Sequence, residues 1–163
     1  MKKLLTIGTA LAGLAFTAVG ALAADIKPAV LYDLGGRFDK SFNEGAYNGA
    51  EKFKEDTGVE YRDFEIQNDS QREQAMRNFA RRGMNPIVAI GFSQASALEK
   101  VATEFPDIKF TIVDMVVDLP NVQSVVFKEH EGSFLVGVLA AMASETGKVG
   151  FIGGMDIPLI RKF

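Results

Sequence analysis

Short apolar runs and longer amphipathic stretches alternate along most of this chain. Residues 26–32, 59–66, 86–90, 108–113, 122–127 and 148–152 each read as a strand. The run at 86–90 is continuously apolar, as in a strand buried on both faces. Between them, residues 41–57 place Phe42, Ala46, Gly49, Ala50 and Phe53 on one helical face, and Gly58 is set to end that helix. A second helix opens at Asp69-Ser70, buries Ala75, Met76, Phe79 and Ala80, and closes at Gly83. A third follows Gly91-Phe92-Ser93, turns Ala95, Leu98, Val101, Ala102 and Phe105 inward, and stops at Pro106. The fourth, residues 131–143, is apolar nearly all round, and Gly132 and Gly137 would allow a close neighbour. Ser41…Glu44 and Ser70…Glu73 match the capping-box spacing.

Strands alternating with helices predict an α/β fold: a doubly wound, mostly parallel six-stranded sheet with helices on both faces. The expected strand order is 2-1-3-4-5-6, with right-handed crossovers. That order puts a switch point beside strand 1, where ligands of open α/β sheets bind. The turn leaving strand 1, Asp33-Leu-Gly-Gly-Arg-Phe-Asp-Lys-Ser-Phe-Asn43, would therefore lie at the crevice. Asp33 and Asp114 hold equivalent positions, each the first polar residue after an apolar strand. Such a carboxylate either takes hydroxyl or N–H donors from a ligand or folds its own turn. Phe42, in the first helical turn, can present its ring to a flat ligand, and Asn43 can both donate and accept. Phe92, after strand 3, converges on the same edge. Asp39 and Ser41 read first as helix caps.

Length and composition narrow the class. The 163 residues fit one domain. Lys2-Lys3, the apolar run to Leu22 and the small-x-small triplet Ala21-Leu22-Ala23 predict a secretory leader over residues 1–23. Its removal takes two lysines from a net charge of −3, leaving −5. An acidic chain of this kind has no general attraction for nucleic acid. The sequence contains no cysteine, which excludes disulfides, thiolate metal sites and a lipidated N-terminal cysteine. With the leader, it points to the periplasm. The single histidine, His130, leaves no His-based metal site or Ser-His pair, and no metal is expected.

The catalytic and phosphate-binding signatures are missing too. Gly35-Gly36 is not followed by the third glycine of a dinucleotide loop, and Gly153-Gly154 lacks it as well. There is no Walker lysine, H-E-x-x-H or G-x-S-x-G. Two carboxylates invite a glycosidase reading, but nothing in the sequence fixes their separation or raises a pKa. No cofactor is expected, and the chain is read as a non-enzyme.

Three segments resemble one family, the basic-membrane-protein or PnrA-like substrate-binding proteins of ABC transporters. They are Gly-Gly-Arg-Phe-Asp-Lys-Ser-Phe-Asn-Glu-Gly45, Asn121-Val-Gln-Ser-Val-Val-Phe127 leading into Glu131-Gly-Ser-Phe-Leu-Val-Gly137, and Gly150-Phe-Ile-Gly-Gly-Met-Asp-Ile-Pro158. The resemblance implies a type I periplasmic-binding-protein lobe and a purine nucleoside closed between two lobes. It also implies delivery to an inner-membrane permease by a monomeric carrier. By that likeness Phe42 stacks on the base, Asp33 and Asn43 serve its polar edge, and Asp114 holds ribose hydroxyls. Asp39 organises the turn. Gly91, Phe92, Gly154 and Met155 complete the expected contacts. Residues 24–154 would form the lobe, and 155–163 would begin a crossover to a second one. A sensory ligand-binding domain and a sugar binder of the same fold are the alternatives. Without a second lobe, Met155, Ile157, Leu159, Ile160 and their neighbours are expected to expose apolar surface.

Overall fold

The computed structural model describes residues 26–163; the leader read over residues 1–23 lies outside the described residues. Five strands form one parallel sheet: β1 (Ala29–Tyr32), β2 (Arg62–Glu65), β3 (Ile87–Ile90), β4 (Phe110–Val113) and β5 (Val122–Val125). Their order is β2-β1-β3-β4-β5. Burial follows position in the sheet. Every residue of β1 is buried, whereas edge strand β2 alternates exposed and half-buried residues. The direction in which strands are added reverses between β1, which is followed by β2 on one side, and β3, which is followed by β4 on the other. The crevice at their carboxyl ends is the switch point.

The pleat of β1 divides the core. Ala29 and Leu31 point to a face covered by α2 (Gln71–Arg81) and α3 (Ala95–Glu104), and Val30 and Tyr32 point to the face carrying α1 (Phe42–Thr57). The α2–α3 side holds fourteen buried side chains among the described residues, including Met76, Leu98 and Phe110. The α1 side holds three, with Ala46, Tyr47 and Ala50 packed on them at partial exposure. One face is thus a finished core and the other is thinly covered.

Among the described residues the sheet has five strands. Residues 148–152 form no strand, and Ile152 is 99% exposed. The reason lies in α4 (Glu129–Ala143), none of whose apolar residues is buried. Phe134, Leu135, Leu139 and Met142 leave its surface on several sides. A helix that is apolar all round is stable only when enclosed from several directions, and the described residues enclose it from few. With α4 off the sheet, the segment after it is not carried back beside β5. Gly132 and Gly137 accordingly meet no close neighbour: a Cβ at either would have open space. Met155 and Phe163 of the closing segment are exposed as expected, but its other apolar residues named above are not. Leu159 is buried and Ile157 and Ile160 are half-buried, whereas α4, Phe151 and Ile152 carry the exposure.

Candidate functional site

The turn that leaves β1 is held by three clamps. Asn43 is 1% exposed, and its side-chain amide is spent on the backbone. Its Oδ1 accepts from the Asp33 N–H at 3.0 Å, and its Nδ2 donates to the carbonyls of Asp33 and Leu34 at 3.3 Å. This closes the loop onto the helix that follows it.

Asp39 caps that helix. Its carboxylate accepts from the backbone N–H of Ser41, Asn43 and Glu44 at 2.9, 3.0 and 3.1 Å. The Ser41 hydroxyl makes no capping bond, and Glu44 reaches the Lys40 N–H at 2.9 Å in place of the Ser41 N–H, so neither half of the expected capping box forms. The second capping box also fails, because the Ser70 hydroxyl donates to Asn68 Oδ1 instead. Burial opposes the Asp39 charge, but its backbone hydrogen bonds outweigh burial and hold its carboxyl below the ordinary value. A depressed folded pKa gives stability that is present above the ordinary carboxylate range and lost as pH falls through the folded value. Asp39→Ala is therefore expected to lower hydrogen-exchange protection of the first-turn amides of α1 at neutral pH, with little effect on β3 and β4. Unchanged protection at Asn43 and Glu44 would contradict the cap.

The third clamp is Arg37. Its backbone N–H and Nε both donate to Glu65, at 3.3 and 2.7 Å, and one terminal nitrogen reaches Asp63 at 2.6 Å. The guanidinium also lies 5.8–5.9 Å from the ring centres of Tyr32, Phe38 and Tyr47. Gly36 sits against the same carboxylate with φ +75°, where a Cβ would stand 2.6 Å from Glu65 Oε2. The turn is thereby pinned to β2.

Asp33 is the hub behind the turn. Oδ1 accepts from Arg72 at 2.6 Å and from the Leu34 N–H at 2.7 Å, and Oδ2 accepts from the Ser93 hydroxyl. Arg72 is itself buried and holds Asp69 with its other nitrogens. A carboxylate offers about four acceptor places, and three of those on Asp33 are filled. Gly91, at φ +100°, brings its backbone close to the Asp33 carboxylate. It also opens the short 3-10 turn Phe92–Gln94, which leaves Phe92 half-buried at the strand edge.

Beside this hub lies a cleft of about 910 Å³. Phe42 and Asp114 both line it, with Phe127, Glu129, Gly132, Ser133, Val136, Phe151 and Phe163 among the other walls. Its size suits a small organic ligand, and its surface is mostly apolar with a few polar groups. Phe42 is 39% exposed. Asp114 follows β4 in the left-handed region at φ 71°, with its N–H donated to Val125 O. Burial, then the nearby Glu129 charge, raises its pKa, while Lys162 lowers it.

The nine residues expected from sequence do not all meet in one place. Phe42 and Asp114 share the cleft. Asp33, Asp39, Asn43 and Gly91 form the frame of the adjacent turn. Met155 lines a separate depression of about 350 Å³ that shares Phe151 and Phe163 with the cleft, and Phe92 and Gly154 line neither. Sequence reasoning missed Arg37, Arg72, Ser93 and Glu129. Arg37 stands inside the quoted motif and could have been found there. The others are hard to read locally: Arg72 looks like an i,i+3 partner of Asp69, whereas its bond to Asp33 and that of Ser93 to Asp33 span 39 and 60 residues, and Glu129 has no hydrogen-bond partner among the described residues.

Comparison with known proteins places the chain. The family model described as "ABC transporter substrate-binding protein PnrA-like" matches residues 26–163. An uncharacterized lipoprotein of Pyrococcus abyssi is 37% identical over 86% of the chain, and the ABC transporter nucleoside-binding protein BmpA of Lactococcus lactis is 35% identical over 88% of it. The chain spans 36% and 42% of the length of these two relatives. A solute-binding protein of an ABC transporter system from Aeropyrum pernix superposes with a TM-score of 0.75 at 35% identity, over 84% of this chain and 40% of that one.

Proposed function

This chain belongs to the PnrA-like family of ABC transporter substrate-binding proteins, and from that membership we propose that it carries the first lobe of a carrier for purine nucleosides. The carrier is non-catalytic: it closes on its ligand and hands it to a membrane permease. Residues 1–23 direct export to the periplasm, residues 24–154 form the lobe, and residues 155–163 begin the passage to a second lobe. The carrier works as a monomer.

The observation that carries this reading is the shared cleft of Phe42 and Asp114. An exposed ring at one wall gives a flat base a stacking surface, and a carboxylate at another accepts from sugar hydroxyls. The nucleoside named in the Lactococcus lactis relative has both groups. Asp33 adds a carboxylate acceptor to the polar edge, and Asn43 acts through the turn that it locks. Gly91 backs the Asp33 carboxylate, Phe92 offers its half-buried ring from the strand edge, and Gly154 and Met155 reach the ligand when the second lobe closes.

The test is calorimetry on the complete protein containing this chain. Phe42→Ala is expected to weaken inosine binding roughly tenfold or more, in line with base–aromatic stacking of about 1–3 kcal/mol, while leaving the melting temperature nearly unchanged. Equal inosine affinity in the variant and the parent would remove the stacking role. Affinity is also expected to fall as pH drops through the raised pKa of Asp114, because a protonated carboxyl loses acceptor capacity.

A further inference from the structure

Glu129 has a setting that the packing of the lobe does not explain. It opens α4, with a side chain only 5% exposed. Neither carboxylate oxygen has a hydrogen-bond partner among the described residues. The nearest cation, Lys162, holds its Nζ 3.7 Å from Oε2, beyond hydrogen-bond reach, and is 46% exposed. An acidic residue in the first turn is favoured by the helix dipole. A capping role would, however, show at least one backbone N–H on the carboxylate, and there is none. Burying an ionised carboxylate without donors is strongly unfavourable. Glu129 also lines the cleft that contains Asp114, close enough to help raise the Asp114 pKa. Two carboxylates side by side in a largely apolar cleft repel each other until donors come between them.

We infer that Glu129 is a second ligand-binding carboxylate, which together with Asp114 accepts the vicinal hydroxyl donors of a pentose. A divalent cation would satisfy the charges, but calcium takes six to eight oxygen ligands, and no cluster of three or more metal-ligating side chains occurs among the described residues. Two adjacent hydroxyls need two or three acceptors, which the pair supplies. The apolar walls, Phe42 and Phe127 among them, face the rest of the ligand. The inference rests on the solute-binding reading above and deepens it by naming the part of the ligand that the site reads.

The experiment compares Glu129→Gln with the parent in the complete protein, using calorimetry with inosine and with 2′,3′-dideoxyinosine. Loss of a hydrogen bond to a charged group is expected to weaken inosine roughly tenfold or more, with dideoxyinosine affinity unchanged. The ligand-free variant should melt no lower than the parent, because an unpartnered buried charge has been removed. An ion pair with Lys162 would instead predict a lower melting temperature, and that outcome counts against the inference. Inosine affinity within twofold of the parent, or the same loss for both ligands, overturns it. If the protein takes a pentose but no nucleoside, the nucleoside reading fails while ribose against 2-deoxyribose still decides the role of Glu129. Binding of neither class overturns both.

Discussion

Arg72→Met is expected to destabilise the lobe by about 3 kcal/mol, the low end of the range for removing one partner of a buried ion pair. The arginine side chain is 7% exposed and the Asp33 side chain 20%, so some solvent screening survives and the upper end is not expected. Methionine fills much of the same volume but leaves Asp33 facing the core edge with only Leu34 and Ser93 as donors. The effect should spread, because Arg72 joins three segments: α2, the turn after β1 and, through Asp33, the start of the 3-10 turn at Phe92. Urea unfolding measures it. The double variant Asp33→Asn with Arg72→Met removes the orphaned charge and should recover about half of the loss. A single variant within 1 kcal/mol of the parent (a rough threshold taken from ordinary surface substitutions) would show that the pair does not brace the site.

Gly91→Ala is the second large effect. The residue sits at φ +100° and ψ 148°, a region nearly closed to side chains. Its Cβ would stand 2.7 Å from Asp33 Oδ2. That oxygen cannot yield cheaply, because Ser93 and Arg72 hold the carboxylate from other directions. Backbone strain and steric conflict together are expected to cost about 2–4 kcal/mol. Relief of the conflict would tilt Asp33 and move the turn beside the cleft, so inosine binding should weaken along with stability. Loss of stability with full affinity would mean that Asp33 and its turn do not position the ligand. Arg72→Met and Gly91→Ala act on one network, and their combination should be less than additive.

The order of the first five strands was legible because the buried ones are short apolar runs, the edge strands β2 and β5 mix apolar and polar residues, and each connection is a recognisable helix or turn. The most continuously apolar run, β3, is the central strand, and the wholly buried β1 lies beside it. The expected sixth strand failed for a tertiary reason: residues 148–152 have strand composition, but strand stability comes from a neighbour, and α4 does not deliver one. The capping box at Ser41 failed for a local reason. Ser41 and Asp39 both match cap chemistry, and the backbone turn gives the amides to Asp39. At the site, chemistry was easier to read than role. Asn43 has the residue type of a ligand contact, but its burial and its three backbone bonds make it a lock on the turn. Glu129 shows the opposite case: it lies outside the helix expected over residues 131–143, and only the fold shows it opening α4 with its carboxylate enclosed and without a hydrogen-bond partner among the described residues.

The most direct test of the nucleoside assignment is calorimetric titration of the complete protein with inosine, guanosine and adenosine, each beside D-ribose. The account predicts one-to-one binding of at least one purine nucleoside, tighter than ribose because the base adds its stacking on Phe42. Undetectable binding of all three nucleosides, with tight binding of the free sugar, would contradict it.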